Sequence, residues 1–199
     1  MIKVIDDFLP WNVALKFQQT FFDVMSWKPY WNMNLNETNI DAWNWHTAVG
    51  NDTVNIGQID EKRFTEELAV INLLWEQTHK AIVDIQQVNH KMDRWYANSH
   101  TFGQEGPIHR DDGSLTCIYY PTKDWIIDWE GGTSFYNEDI DDCIKYASYK
   151  FNRMIIFDSN IPHRAMPVAR NAYTLRTSVV FKTSMDITHP SYIDWYNKQ

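Results

Sequence analysis

Apolar residues recur at helical spacing twice in the first half of the chain. Between about Ile59 and Val83, the residues Phe64, Leu68, Ile71, Trp75 and Ile82 fall on one face, which predicts an amphipathic helix packed against a sheet. An earlier helix is predicted from near Pro10, whose fixed φ suits a first turn, with Val13, Phe17, Phe21 and Val24 three or four residues apart. Residues 27–58 break the periodicity. Tryptophans and asparagines around a Gly50-Asn51-Asp52 turn signal predict strands and loops there, with Trp43 and Trp45 on the same side of an extended chain.

From about Val88 the texture changes. Short runs of aromatic and β-branched residues (Arg94 to Asn98, Leu115 to Tyr120, Thr133 to Tyr136, Arg153 to Phe157, Thr174 to Lys182) alternate with turns and predict an all-β half. Strands without intervening helices favour a sandwich or jelly roll over a parallel α/β sheet. With 199 residues and 44% hydrophobic composition, the chain has apolar material for one substantial core. Residues 1–199 are therefore read as a single domain: a helix-rich part over 1–87, a β core over 88–184, and a C-terminal tail over 185–199.

Charge and cysteine content narrow the chemistry. Eighteen basic against 26 acidic residues, a net charge of −8, with no basic run interleaved with aromatics, argue against nucleic acid as a partner. The start, Met1 to Asp7, lacks a signal-peptide pattern, and no stretch approaches the ~20 apolar residues of a membrane span, so no membrane association and a cytoplasmic location are expected. Cys117 and Cys143 are the only cysteines. They offer neither a disulfide framework nor a CxxC knuckle, and any metal must be held by histidine and carboxylate.

His109-Arg110-Asp111 supplies two such ligands. In an extended segment residues i and i+2 share a face, about 6.6 Å apart, so both side chains can converge on one ion. Alone the HxD pattern is weak, since on the order of 0.6 matches arise by chance in this composition, and a surface ion pair would also account for it. A third ligand, His163, stands just beyond the apolar run Met154 to Phe157 and the turn Asp158 to Pro162. Two imidazoles and one carboxylate make the facial triad of non-haem iron(II) oxygenases, with three positions open for a bidentate co-substrate and dioxygen, unlike a closed zinc site.

The last predicted strand carries Arg176 and Ser178 on one face. A guanidinium among apolar residues needs an anion, and the distal carboxylate of 2-oxoglutarate offers a bidentate partner, with Ser178 adding a hydrogen bond. Tyr120 could donate its hydroxyl to the same carboxylate.

Together these residues resemble the prolyl-hydroxylase branch of the iron(II)/2-oxoglutarate dioxygenases. The likeness runs over residues 95–184, through HRD at 109–111, TCIYY at 116–120, KDW at 123–125, GG at 131–132, FNRMIIF at 151–157, PHRAMPV at 162–168 and LRTSVVF at 175–181; the opening Val4 to Leu9 also looks like the start of such domains. The resemblance implies a mainly β fold with flanking α-helices around a double-stranded β-helix (jelly-roll) core. It implies iron(II) on His109, Asp111 and His163, Arg176 anchoring the 2-oxoglutarate tail, Tyr120 as a second contact and Asn98 as a polar co-substrate contact. The implied reaction consumes dioxygen, releases succinate and carbon dioxide, and hydroxylates an unactivated C–H of a small molecule or peptide, a prolyl residue being the family-level expectation.

Two features depart from the family pattern. The interval from His163 to Arg176 is a few residues long, which makes Arg170 a rival anchor, and Arg164 directly follows the distal histidine. Arg164 is either a salt-bridge partner or a substrate clamp. Trp125 belongs either to packing or to an aromatic substrate mouth. His46, His79, His90, His100 and His189 have no partner at ligand spacing and are read as ordinary histidines. A metal-binding jelly-roll module without catalysis is the alternative function, because a fold does not fix an activity. A halogenase is disfavoured by Asp111, since those enzymes resemble this pattern with a small residue at that place.

Overall fold

The protein, described here from a computed structural model, is defined over residues 1–24, 28–31, 44–47 and 61–198. Trp43 and most of segment 27–58 lie outside the described residues. The elements run β1 (Ile2–Ile5), α1 (Trp11–Val24), β2 (Lys28–Trp31), β3 (Asn44–Thr47), α2 (Glu61–Gln86), β4 (His90–His100), β5 (Leu115–Tyr120), a 3₁₀ turn (Ile127–Trp129), β6 (Thr133–Tyr136), β7 (Cys143–Ala147), β8 (Arg153–Asp158), β9 (His163–Ala165), β10 (Arg176–Met185) and α3 (Pro190–Tyr196). Two antiparallel sheets result, one ordered β1-β8-β5-β10-β4-β3-β2 and the other β7-β6-β9. After β5 the chain passes to the small sheet for β6 and β7, returns for β8, crosses again for β9 and ends in β10, which is the jelly-roll arrangement.

The period of two along each strand sorts the side chains of the large sheet. Leu115, Cys117 and Tyr119 of β5, Met154 and Ile156 of β8, and Val179 and Phe181 of β10 join the helices in one buried cluster. Their alternates Ile118, Tyr120, Ile155, Phe157 and Val180 join Phe135 and Ala147 of the small sheet in another. Ala14, Phe17 and Phe21 of α1 and Ile71, Leu74 and Ile82 of α2, spaced at the helical period, cover the outer face. Both predicted helices are present with shifted ends. Cys117 is fully buried in that outer layer, where it packs as a small apolar side chain.

Four elements were not in the sequence-based expectation: β1, β7, β9 and α3. The tail 185–199 holds α3, capped by His189, whose side chain accepts from Ser191 N at 3.2 Å, with Pro190 opening the first turn. β1 hydrogen-bonds to β8 at the edge of the large sheet, so the opening residues are an integral strand. No helix among the described residues is long and apolar enough to cross a membrane.

Candidate metal centre and cavity

His109 and His163 are held face to face by their own backbones. An isolated antiparallel bridge joins them, with His109 N donating to His163 O at 3.0 Å and His163 N to His109 O at 2.9 Å. Asp111 N donates to Ser159 O at 2.8 Å, so the turn after β8 braces the HxD segment at both ends. Asp111 Oδ1 lies 3.5 Å from His109 Nε2, and Oδ2 lies 3.3 Å from His163 Nε2. The donor atoms of all three residues fall within 4.8 Å of one another.

The ring nitrogens are sorted by what surrounds them. His109 Nδ1 donates to Pro107 O and His163 Nδ1 to Ile161 O, each at 2.9 Å. A carbonyl can only accept, so Nδ1 carries the hydrogen and the neutral ring turns its Nε2 lone pair towards Asp111. Burial lowers the pKa of both rings, that of His163 to about 3 with the neighbouring His109 adding to the shift. Both are therefore neutral near pH 7. Two imidazole lone pairs and one carboxylate converging from one side, with a cavity on the other, fit an iron(II) ion that must keep positions open.

The cavity lies between the two sheets. Asn98, His100, Arg176 and Ser178 line it from the large sheet, Thr133 and His163 from the small one, and Glu105, His109 and Asp111 from the 101–114 loop. Arg176 is 2% exposed. Its Nε donates to Gly131 O at 2.6 Å and its Nη1 to Ser178 Oγ at 3.2 Å, while the guanidinium lies over the rings of Tyr120 and Tyr149 at 5.4 and 5.8 Å. No carboxylate among the described residues stands within ion-pair distance of it. A buried guanidinium without an anion is costly, and the cavity beside it is where an anion can enter. Arg170 is instead exposed, 5.8 Å from the ring centre of Phe102.

The other expected site residues take varied places. Asn98 and Ser178 face the cavity. Tyr120 is buried one layer back, its hydroxyl 2.6 Å from Thr133 Oγ1, so that Thr133 presents the hydroxyl to the cavity. Trp125 packs on Trp129 and Tyr149 with ring centres 5.2 and 4.6 Å away, donates Nε1–H to Glu130 O at 3.0 Å, and is not in the cavity lining. Arg164 reaches Glu105 at 3.6 Å, and it is Glu105 that faces the cavity.

Three residues at the site escaped the sequence reading. His100, an ordinary histidine by its spacing, is buried in the cavity wall opposite Arg176 in register; burial, and then the charge of Arg176, lowers its pKa to about 3. Thr116 donates its hydroxyl to Asp111 Oδ2 at 2.7 Å. Lys182 is buried against Asp111, and burial first, then the charge of Arg94, lowers the pKa of its ammonium. Strand periodicity holds the missing signal: His100 is two residues from Asn98, and Lys182 is six from Arg176.

Residues 86–181 match the family model of the 2OG-Fe(II) oxygenase superfamily, a span that holds the triad and Arg176. No curated protein sequence matches the chain. Among solved structures, it is similar to an oxidoreductase of the 2OG-Fe(II) oxygenase family from Burkholderia pseudomallei, with TM-score 0.69, 11% identity, and 92% of this chain and 85% of that one covered. A prolyl hydroxylase from Trichoplax adhaerens, in complex with a hypoxia inducible factor oxygen degradation domain peptide fragment, gives TM-score 0.60 at 14% identity over 92% of this chain and 83% of that one. The non-heme alpha ketoglutarate dependent carbocyclase from nogalamycin biosynthesis gives 0.64 at 10% identity over 93% and 79%. At these identities the structures share the fold. The matched span is similar to the 2OG-Fe(II) oxygenase superfamily, a class that uses iron(II), 2-oxoglutarate and dioxygen.

Proposed function

We propose that the chain is a 2-oxoglutarate-dependent hydroxylase of an unactivated C–H bond, with a prolyl residue of a peptide as the substrate class tested first. The observation that carries this reading is one cavity lined both by the His109, Asp111, His163 triad and by a buried Arg176 with no carboxylate partner among the described residues. Iron(II), when bound, supplies the activation of dioxygen against 2-oxoglutarate. His109 and His163 give it Nε2 lone pairs and Asp111 a carboxylate oxygen. Arg176 pairs with the distal carboxylate of 2-oxoglutarate, Ser178 and Gly131 hold the guanidinium in place, and Thr133, backed by Tyr120, offers the neighbouring hydroxyl. Asn98 and His100 supply the remaining polar wall, His100 as a neutral ring. Ile118 and Val180 keep the interior apolar around the reacting centre.

The prolyl preference draws on the resemblance of the motifs and on a fold shared with prolyl hydroxylases. Its test is succinate release stimulated by a panel of prolyl peptides, set beside free amino acids, sugars and nucleotides, with mass spectrometry of the stimulating substrate. A gain of one oxygen on proline is the expected result. A gain on another substrate would keep the hydroxylase and replace its substrate class.

A further inference from the structure

Lys182 lies between the sheets, 1% exposed, on the strand face of β10 that also carries Arg176, Ser178 and Val180. Its Nζ is in direct contact with Asp111 Oδ2 and donates to Thr116 Oγ1 at 3.2 Å. Thr116 in turn donates to the same Asp111 oxygen at 2.7 Å. Asp111 lines the cavity and Lys182 does not, so the ammonium backs the carboxylate without occupying the space open to ligands. Apart from the two histidines, no other cation among the described residues comes within ion-pair distance of Asp111.

A carboxylate this far from solvent is strongly destabilising unless something offsets its charge. A bound metal does that, but a protein must also fold and wait before the metal arrives. We propose that Lys182 is the resident counter-ion of Asp111, holding the carboxylate together with Thr116 in the metal-free protein so that the triad is formed before metal enters. The inference rests on the reading of His109, Asp111 and His163 as metal ligands. Lys182 and Thr116 are then positioning residues that act through Asp111. They claim one carboxylate oxygen and leave the other to the metal. A bound metal would offset the charge of Asp111 in turn, and Thr116 would still be there as an acceptor for Lys182.

A counter-ion and a space-filling side chain differ in one measurable respect. Loss of a counter-ion harms the metal-free protein more than the metal-bound one, whereas loss of packing harms both alike. The experiment is thermal unfolding of the full chain in chelator and in saturating manganese(II), for wild type, Lys182→Met, Asp111→Asn and the double variant. Wild type should gain stability with manganese. In chelator Lys182→Met should melt about 10 °C below wild type, the deficit should fall by about half or more with manganese, and the double variant should melt above Lys182→Met because no orphan carboxylate remains. If Lys182→Met does not fold without metal, a folded double variant supports the counter-ion. A deficit equal in chelator and manganese, or a double variant no better than Lys182→Met, overturns it and leaves the metal site standing. Absence of any manganese effect on wild type overturns both.

Discussion

Arg176 Nε donates to the carbonyl of Gly131 at 2.6 Å, and a Cβ on Gly131 would sit 3.1 Å from Arg176 Cγ and 3.1 Å from Trp125 Cζ2. Gly131 also has φ +69°, a conformation L side chains rarely adopt. The second glycine of the GG motif is tighter still, its Cβ running into the Ala147 carbonyl and the Tyr146 ring. The motif is thus a backbone passage that lets the loop before β6 close over the guanidinium.

Gly131→Ala should push the guanidinium off its aim. Loss of one hydrogen bond to a charged group predicts a rise of about tenfold in the 2-oxoglutarate dissociation constant, with metal binding by the triad retained. Titration of 2-oxoglutarate into the metal-loaded variant measures it, and an unchanged constant would detach Gly131 from the anchor.

The two arginines at the end of the chain separate by burial. Arg176→Gln should weaken 2-oxoglutarate binding by about tenfold to a hundredfold, since among the described residues Arg176 is the only arginine or lysine lining the cavity, whereas the exposed Arg170→Gln should change it by less than about twofold. The opposite ranking in equilibrium titrations would move the anchor to Arg170.

The fold was legible wherever one face of an element is buried. The strand at 115–120 is legible to its ends because β5 alternates between two cores, and α2 is legible as a helix, with its ends shifted, because Ile71 and Ile82 return to one face at helical spacing. β7 has no such face, with Cys143 to Tyr146 all exposed, and β9 is only three residues long. At the site, the convergence of His109, Asp111 and His163 and the burial of Arg176 were legible because polar groups at strand spacing beside apolar runs stand out from the pattern around them. Lys182 ends a run read as apolar and His100 lay outside ligand spacing, so each becomes visible only when the interior face of its strand is followed to the end.

The amino-terminal strand is tied down by charge as well as by its ladder. Asp6 accepts from Arg153 Nε at 2.6 Å and from Lys150 Nζ at 2.9 Å, and the Arg153 hydrogen bond in particular lowers its carboxyl from 3.8 to about 2. A folded value below the unfolded one means the stabilisation is whole above about pH 4 and fades as the pH drops towards 2. Asp6→Asn should therefore lower the melting temperature near neutrality by roughly 1–3 °C, the modest scale of an exposed pair, and the gap should close between about pH 4 and pH 2. Thermal melts across that range check it, and a gap independent of pH would assign the effect to something other than the ion pairs.

In the proposed function the His109, Asp111, His163 triad and Arg176 serve one 2-oxoglutarate-dependent oxygenase site. The direct measurement needs no identified substrate: succinate formed by the iron(II)-loaded protein with 2-oxoglutarate and dioxygen, compared with His163→Ala. Wild type should form succinate in a dioxygen-dependent way, and His163→Ala, left with two ligands, should form none above background. Equal succinate from both proteins, or none from a wild type shown to bind iron and 2-oxoglutarate, would contradict the account.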